Sequence, residues 1–181
     1  DVVLDSVSRQ TRMPDEIVVC DDGSGPETAD VVKRWQQRLR VPVIHVWHED
    51  RGFRLAAIRN KGIAASTGEY IIQIDGDVML ERHFVADHAD SARSGYYIKG
   101  SRVRLSPYGS AKICAARIAC SISPISRSVM RDRMKNFRFA TLGQLFGTRY
   151  HRYGVAIGCN MSFWRSDFMR VNGYDEHYEG W

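Results

Sequence analysis

Ile17-Val18-Val19-Cys20-Asp21-Asp22-Gly23-Ser24 decides how this chain is read. Its apolar, β-branched start is the pattern of a short buried strand, and Asp21-Asp22-Gly23-Ser24-Gly25-Pro26 stops it with a cluster of turn formers. Ser24 or Gly25 is placed to cap a helix beginning near Pro26, and Val31, Val32, Trp35 and Leu39 fall on one face of that helix. Working outward, Val43 to Trp47 is a second strand, followed by the polar loop His48-Glu49-Asp50-Arg51-Gly52. Residues 53–66 make a second helix that closes at Gly68 in the left-handed conformation. Tyr70 to Ile74 is a third strand, and it stops at Asp75-Gly76-Asp77. Strand, helix, strand, helix, strand implies an α/β fold, a mainly parallel sheet flanked by helices. Such sheets bind ligands beyond the carboxyl ends of their strands, and both acidic clusters lie at such ends.

The flanks are less regular. Upstream, Val2 to Ser8 is a helical pattern. Downstream, a helix carries Phe84, Val85 and Ala89, and a further strand lies within 96–105. The stretch 106–152 fits two or three helices or loops, with Val129, Met130, Met134 and Phe137 as a buried stripe. A hairpin of 155–159 and 161–165 precedes a short helix capped by Ser166 and closed by Gly173.

With 181 residues, 44% hydrophobic and 26% charged, the composition is that of one folded domain and argues against disorder. No apolar run approaches the roughly 20 residues of a spanning helix, and no basic-then-apolar leader is present, so this reading expects neither signal peptide nor anchor. Cys20, Cys114, Cys120 and Cys159 contain no Cys-x-x-Cys pair and read as reduced thiols of a cytoplasmic protein. His83 and His88 are five apart, not the helical spacing of a zinc-binding pair. The net charge of +5 hides an asymmetry: residues 93–152 carry +12 and the remainder −7. The basic part suits an anionic partner, or it is a solvated surface with none.

Gly76 lets the chain turn so that Asp75 and Asp77 converge at the strand end, as hard divalent ions such as Mn2+ or Mg2+ require. A lone Asp-Gly-Asp is equally a turn whose carboxylates bond backbone. This one has company. Val-Val-Cys-Asp21-Asp22-Gly23-Ser24, Arg59-Asn60-Lys61-Gly62-Ile63, Gly68-Glu69-Tyr70-Ile71-Ile72 and Ile74-Asp75-Gly76-Asp77 occur in the order seen in the family 2 glycosyltransferases, and the chain resembles that family. Gly158-Cys159-Asn160-Met161-Ser162, Asn172-Gly173-Tyr174-Asp175-Glu176 and Gly180-Trp181 extend the resemblance into the acceptor-side segment.

The resemblance implies a GT-A (nucleotide-diphospho-sugar transferase) fold in a single domain, 1–181, with a nucleotide-sugar-binding part, 1–100, and an acceptor-side part, 101–181. It implies an inverting, metal-dependent transfer from a nucleotide sugar, UDP-linked, to a hydroxyl of a glycan or lipid-linked glycan. The setting would be polysaccharide or lipopolysaccharide synthesis at the inner face of the cell membrane. Asp22 would meet the uracil ring, with Asp21 beside it; Asp75 would face ribose or metal; Asp77 would hold the metal on the diphosphate. Arg54, Arg59 and Lys61 would line the donor pocket, although a salt bridge from Arg54 to Glu49 or Asp50 explains that residue as well. Asn60 and Gly62 read as helix-packing residues. Asn160 and Trp181 fall on the acceptor side, Trp181 as a sugar platform or as core.

Members of this family open with a strand of the type Val-Ile-Ile-Pro-Thr-Tyr-Asn and follow Gly-Trp with an acidic pair that supplies the general base. This reading therefore expects a fragment, with the base beyond Trp181 and unassigned, because Asp175, Glu176 and Glu179 do not fit its position. A sugar nucleotidyltransferase would share the strand-end metal site but should carry a Gly-rich phosphate loop, and none is present. A non-enzymatic module binding RNA or another anionic ligand through 93–152 lacks the aromatic-interleaved pattern of base-stacking surfaces.

Overall fold

The computed structural model describes residues 1–122, 126, 128–131 and 158–180. The chain divides into two compact units, one of Met13–Ile71 with Phe163–Trp181 and the other of Asp1–Arg12 with Ile72–Ser162.

In the first unit, β1 (Ile17–Asp21) runs parallel to β2 (Val43–Trp47), in a register that pairs Ile17 with Val43 and Asp21 with Trp47. Between them lies α2 (Pro26–Arg38), capped by Gly25 with Pro26 in its first turn, where a missing N–H costs nothing. Val32 and Trp35 are its buried contacts, and the Gln36 amide donates to Val43 O at 2.8 Å, fastening helix to strand. The next helix, α3 (Leu55–Ala65), buries Ala57, Ile58, Gly62 and Ile63 and packs on both strands. Gly62 permits the approach: a Cβ there would stand 2.1 Å from Cys20 Sγ. β3 (Tyr70–Ile74) begins in this unit, and the Tyr70 ring meets the edge of Trp164. The last helix, α6 (Arg165–Arg170), stacks Phe168 on Phe163 and sets it edge-on to Tyr174.

In the second unit, α1 (Val2–Ser8) is held by buried polar residues. Ser6 Oγ accepts from Leu80 N, while Gln10 donates to Glu81 O and accepts from Val85 N. The unit also contains α4 (Phe84–Asp90), β4 (Ile98–Lys99), β5 (Arg104–Leu105), α5 (Pro107–Ala116) and β6 (Val129–Arg131). β7 (Asn160–Trp164) begins here and pairs antiparallel with β4, Ile98 opposite Ser162, in the strand order β3, β7, β4. β5 and β6 form a separate antiparallel pair. Leu4, Val7, Val85, Ile113, Ala119, Val129, Cys159 and Met161 are buried apolar residues of this unit.

The α/β alternation through Ile74 matches the sequence reading, and β1–β2 is the parallel pair. Four local expectations change. α3 ends without a left-handed glycine: Ser66 caps it in extended geometry, and Glu16 Oε1 accepts from the amides of Thr67 and Gly68, which leaves glycine no special task. Ser166 lies inside α6, because β7 runs directly into the helix through Trp164. The strand expected within 96–105 is two dipeptide strands with different partners. Of the expected stripe, Val129 is buried but Met130 is exposed, while Met134 and Phe137 lie outside the described residues, as does most of 155–159. The four cysteines are free. Among the described residues no helix is long and apolar enough to cross a membrane, and Arg93, Lys99, Arg102, Arg104, Lys112 and Arg117 of the basic stretch are all exposed.

Candidate functional site

The carboxyl end of β1 places two adjacent carboxylates in different settings. Asp21, the last strand residue, is only 4% exposed. Its Oδ1 accepts from Ser24 N at 2.8 Å and its Oδ2 from His45 Nε2 at 2.9 Å. Burial pushes the Asp21 carboxyl up, but the Ser24 hydroxyl and N–H and the His45 ring outweigh it and hold the group below the ordinary carboxylate range. Asp21 thus shapes the turn from within. Asp22 turns outward, its side chain 18% exposed. The turn requires Gly23, which has φ +89° and whose Cβ would lie 2.5 Å from Asp50 Cα.

Asp22 is gripped from two sides. Oδ2 accepts from the backbone N–H of Arg54 at 2.8 Å, and Oδ1 bonds the Nε2 of His48, the first residue after β2. His48 is 6% exposed, and its Nδ1 lies 3.2 Å from Lys61 Nζ on α3. Sequence reasoning passed over His48 as loop. The signal that finds it is register: with Asp21 opposite Trp47 in a parallel pair, the next residues, Asp22 and His48, leave their strands side by side.

Of the expected donor-pocket cations, Arg54 bonds the backbone oxygen of Glu49, whose carboxylate instead pairs with Arg51 at 2.7 Å. Its Nε–H is buried and, among the described residues, has no partner. Such an orphan donor suits an oxygen acceptor from outside the chain. Arg59 lies over the Tyr174 ring, 5.8 Å from its centroid. Asn60 is a packing residue, as expected: its amide donates to Tyr174 O and accepts from Tyr174 N, at 2.8 and 2.9 Å. A cleft of about 450 Å3 lies at the start of α2, lined by Ser24, Gly25, Pro26, Ala29, His45 and Trp47.

In the other unit, Asp75-Gly76-Asp77 follows β3 as a turn, with Val78 N donating to Asp75 O at 3.3 Å. Asp75 is half-buried, Asp77 is exposed, and a Cβ at Gly76 would meet nothing within 4 Å. Carboxylates are the donor type of a hard divalent ion that takes its remaining ligands from water and a diphosphate. Among the described residues no three metal-ligating side chains gather. Asn160 is buried, with Oδ1 accepting from His88 Nε2 at 3.0 Å and Nδ2 donating to Ser101 O at 2.8 Å. Trp181 lies outside the described residues.

Comparison with known proteins gives one consistent picture. Residues 1–168 match the family model described as glycosyl transferase family 2. The whole chain aligns at 27% identity with validoxylamine A glucosyltransferase of Streptomyces hygroscopicus subsp. limoneus, covering 42% of that protein. Shorter alignments at 30% identity reach chondroitin synthase of Pasteurella multocida, over 44% of this chain and 8% of that protein, and glycosyltransferase GlyA of Streptococcus pneumoniae, over 52% and 14%. The chain spans less than half the length of these relatives.

Proposed function

This chain belongs to glycosyl transferase family 2, and from that premise we propose that it binds a UDP-sugar and passes the sugar, with inversion, to a hydroxyl of a glycan acceptor. The observation that carries the donor reading is Asp22: a partly exposed carboxylate at a strand end, fixed by His48 and the Arg54 N–H. Held this way it accepts from the ring N–H of uracil, and the Arg54 side chain, whose backbone N–H bonds Asp22, keeps a buried Nε–H without a partner among the described residues. Asp75 and Asp77 are assigned to a divalent ion on the donor's diphosphate. When bound, that ion neutralises charge on the departing nucleotide. The turn at Gly76, which follows the strand directly and has open space where a side chain would stand, supports that assignment. Asp21 and Asn160, internally bonded, act by shaping their segments. Arg59 and Lys61 supply positive charge on α3, and no residue of this chain is assigned as general base.

The relatives' names, glucosyltransferase and chondroitin synthase among them, support glycan chemistry without selecting one sugar. The test is a panel of UDP-, GDP- and ADP-sugars incubated with the protein, Mn2+ and mixed oligosaccharides, reading released nucleotide. Release of UDP that depends on acceptor is expected. Acceptor-dependent release from the ADP-sugar alone would contradict the reading.

A further inference from the structure

His48 is a buried imidazole whose two nitrogens are both occupied, and beyond its bond to Asp22 the donor reading says nothing of what sets its orientation or what that orientation decides. Lys61 Nζ stands 3.2 Å from Nδ1. An ammonium has protons to give and no lone pair, so Nδ1 is the acceptor. The neutral ring then carries its proton on Nε2, and that proton is donated to Asp22 Oδ1. The Arg54 N–H takes the other oxygen. Donors on two separate segments therefore fix the plane of the carboxylate. Of its roughly four lone-pair positions two are filled, and the other two point in set directions.

We infer that Lys61 and His48 form a positioning relay that aims Asp22 and thereby sets which nucleobase the chain selects. The inference rests on the reading of Asp22 as the base-binding carboxylate. Uracil presents a ring N–H to a carboxylate so aimed; cytosine presents a lone pair at the same ring position and is repelled. Without His48 the carboxylate loses the aim that the uracil N–H needs, while cytosine gains no bond from it in either case, so the relay governs the choice between pyrimidines more than the hold on the diphosphate. His48 acts through Asp22, as a positioning residue.

The test is calorimetric titration of UDP and CDP, with Mn2+ present, into the parent protein and into His48→Ala, His48→Gln and Lys61→Met. The parent should prefer UDP by roughly tenfold or more, the scale of one charge-assisted hydrogen bond. His48→Ala should lose most of that preference through weaker UDP binding while CDP affinity stays level. His48→Gln, which restores a donor toward Asp22, should keep the ratio within about twofold of the parent. Lys61→Met, at an exposed position that leaves folding alone, should lower it about threefold by freeing the ring to take its other tautomer. A parent-like ratio in His48→Ala or Lys61→Met overturns the relay and leaves the role of Asp22 standing, as does equal loss of both nucleotides in His48→Ala. A parent that binds UDP and CDP alike overturns the role of Asp22 and the relay with it.

Discussion

Each of the two carboxylates that end β1 has a histidine of its own, and the pairing separates their duties. Asp21 with His45 is sealed into the turn, while Asp22 with His48 keeps an open side. A third histidine shows what burial does where no carboxylate bonds the ring. His88 donates from Nε2 to Asn160 Oδ1, so its Nδ1 accepts from the hydroxyl of Ser162, which is fully buried, at 2.6 Å. Phe84 covers the ring. Burial pushes the His88 pKa down, against the Asn160 bond and the Asp87 charge, so the folded protein holds it neutral. Once unfolded, the residue takes up a proton below about pH 6.5. Between the lowered value and 6.5 the unfolded state binds more protons, so the stability that His88 contributes is complete above that window and drains as pH falls through it. Melting temperatures of the parent should decline more steeply from pH 7 to 5 than those of His88→Gln, which keeps a donor for Asn160 but does not titrate. Parallel profiles would show that protonation of His88 carries none of the acid sensitivity.

At the scale of elements, the closest fit is α3 against β1, where Gly62 meets Cys20. Alanine is the better helix former by about 1 kcal/mol, yet a Cβ at 2.1 Å from Sγ forces either the Cys20 side chain out of its rotamer or the helix off the strand, and overpacking of that kind costs about 1–3 kcal/mol. Gly62→Ala should therefore lower the melting temperature, and Cys20→Ala in the same chain should restore it; a higher melting temperature for Gly62→Ala alone would mean the contact is loose. β1, β2 and β3 were legible because β-branched runs ended in turn formers, and α2 because Pro26 and its apolar face mark it. The strand-end carboxylates were legible for the same reason. The histidine partners were not, since a side chain's neighbour on the next strand depends on register, which single-segment patterns do not carry. The dipeptide strands β4 and β5 were read as one strand because two residues give no period that separates them. Ser166 was misplaced as a cap because nothing in the sequence marks a strand that turns straight into a helix.

For the molecule as a whole, family membership fixes the class of chemistry and the strand-end residues carry the specifics proposed for it. Under the proposed function Asp22 serves the base and Asp75 with Asp77 serve the metal and diphosphate. The measurement that tests the account most directly is UDP affinity by calorimetry, with and without Mn2+, in the parent and in Asp77→Asn. An exposed strand-end carboxylate contributes little to the core, so this variant should melt with the parent. The account predicts that Mn2+ tightens UDP binding in the parent and that the gain is largely lost in Asp77→Asn. Equal Mn2+-dependent affinity in both proteins would contradict it.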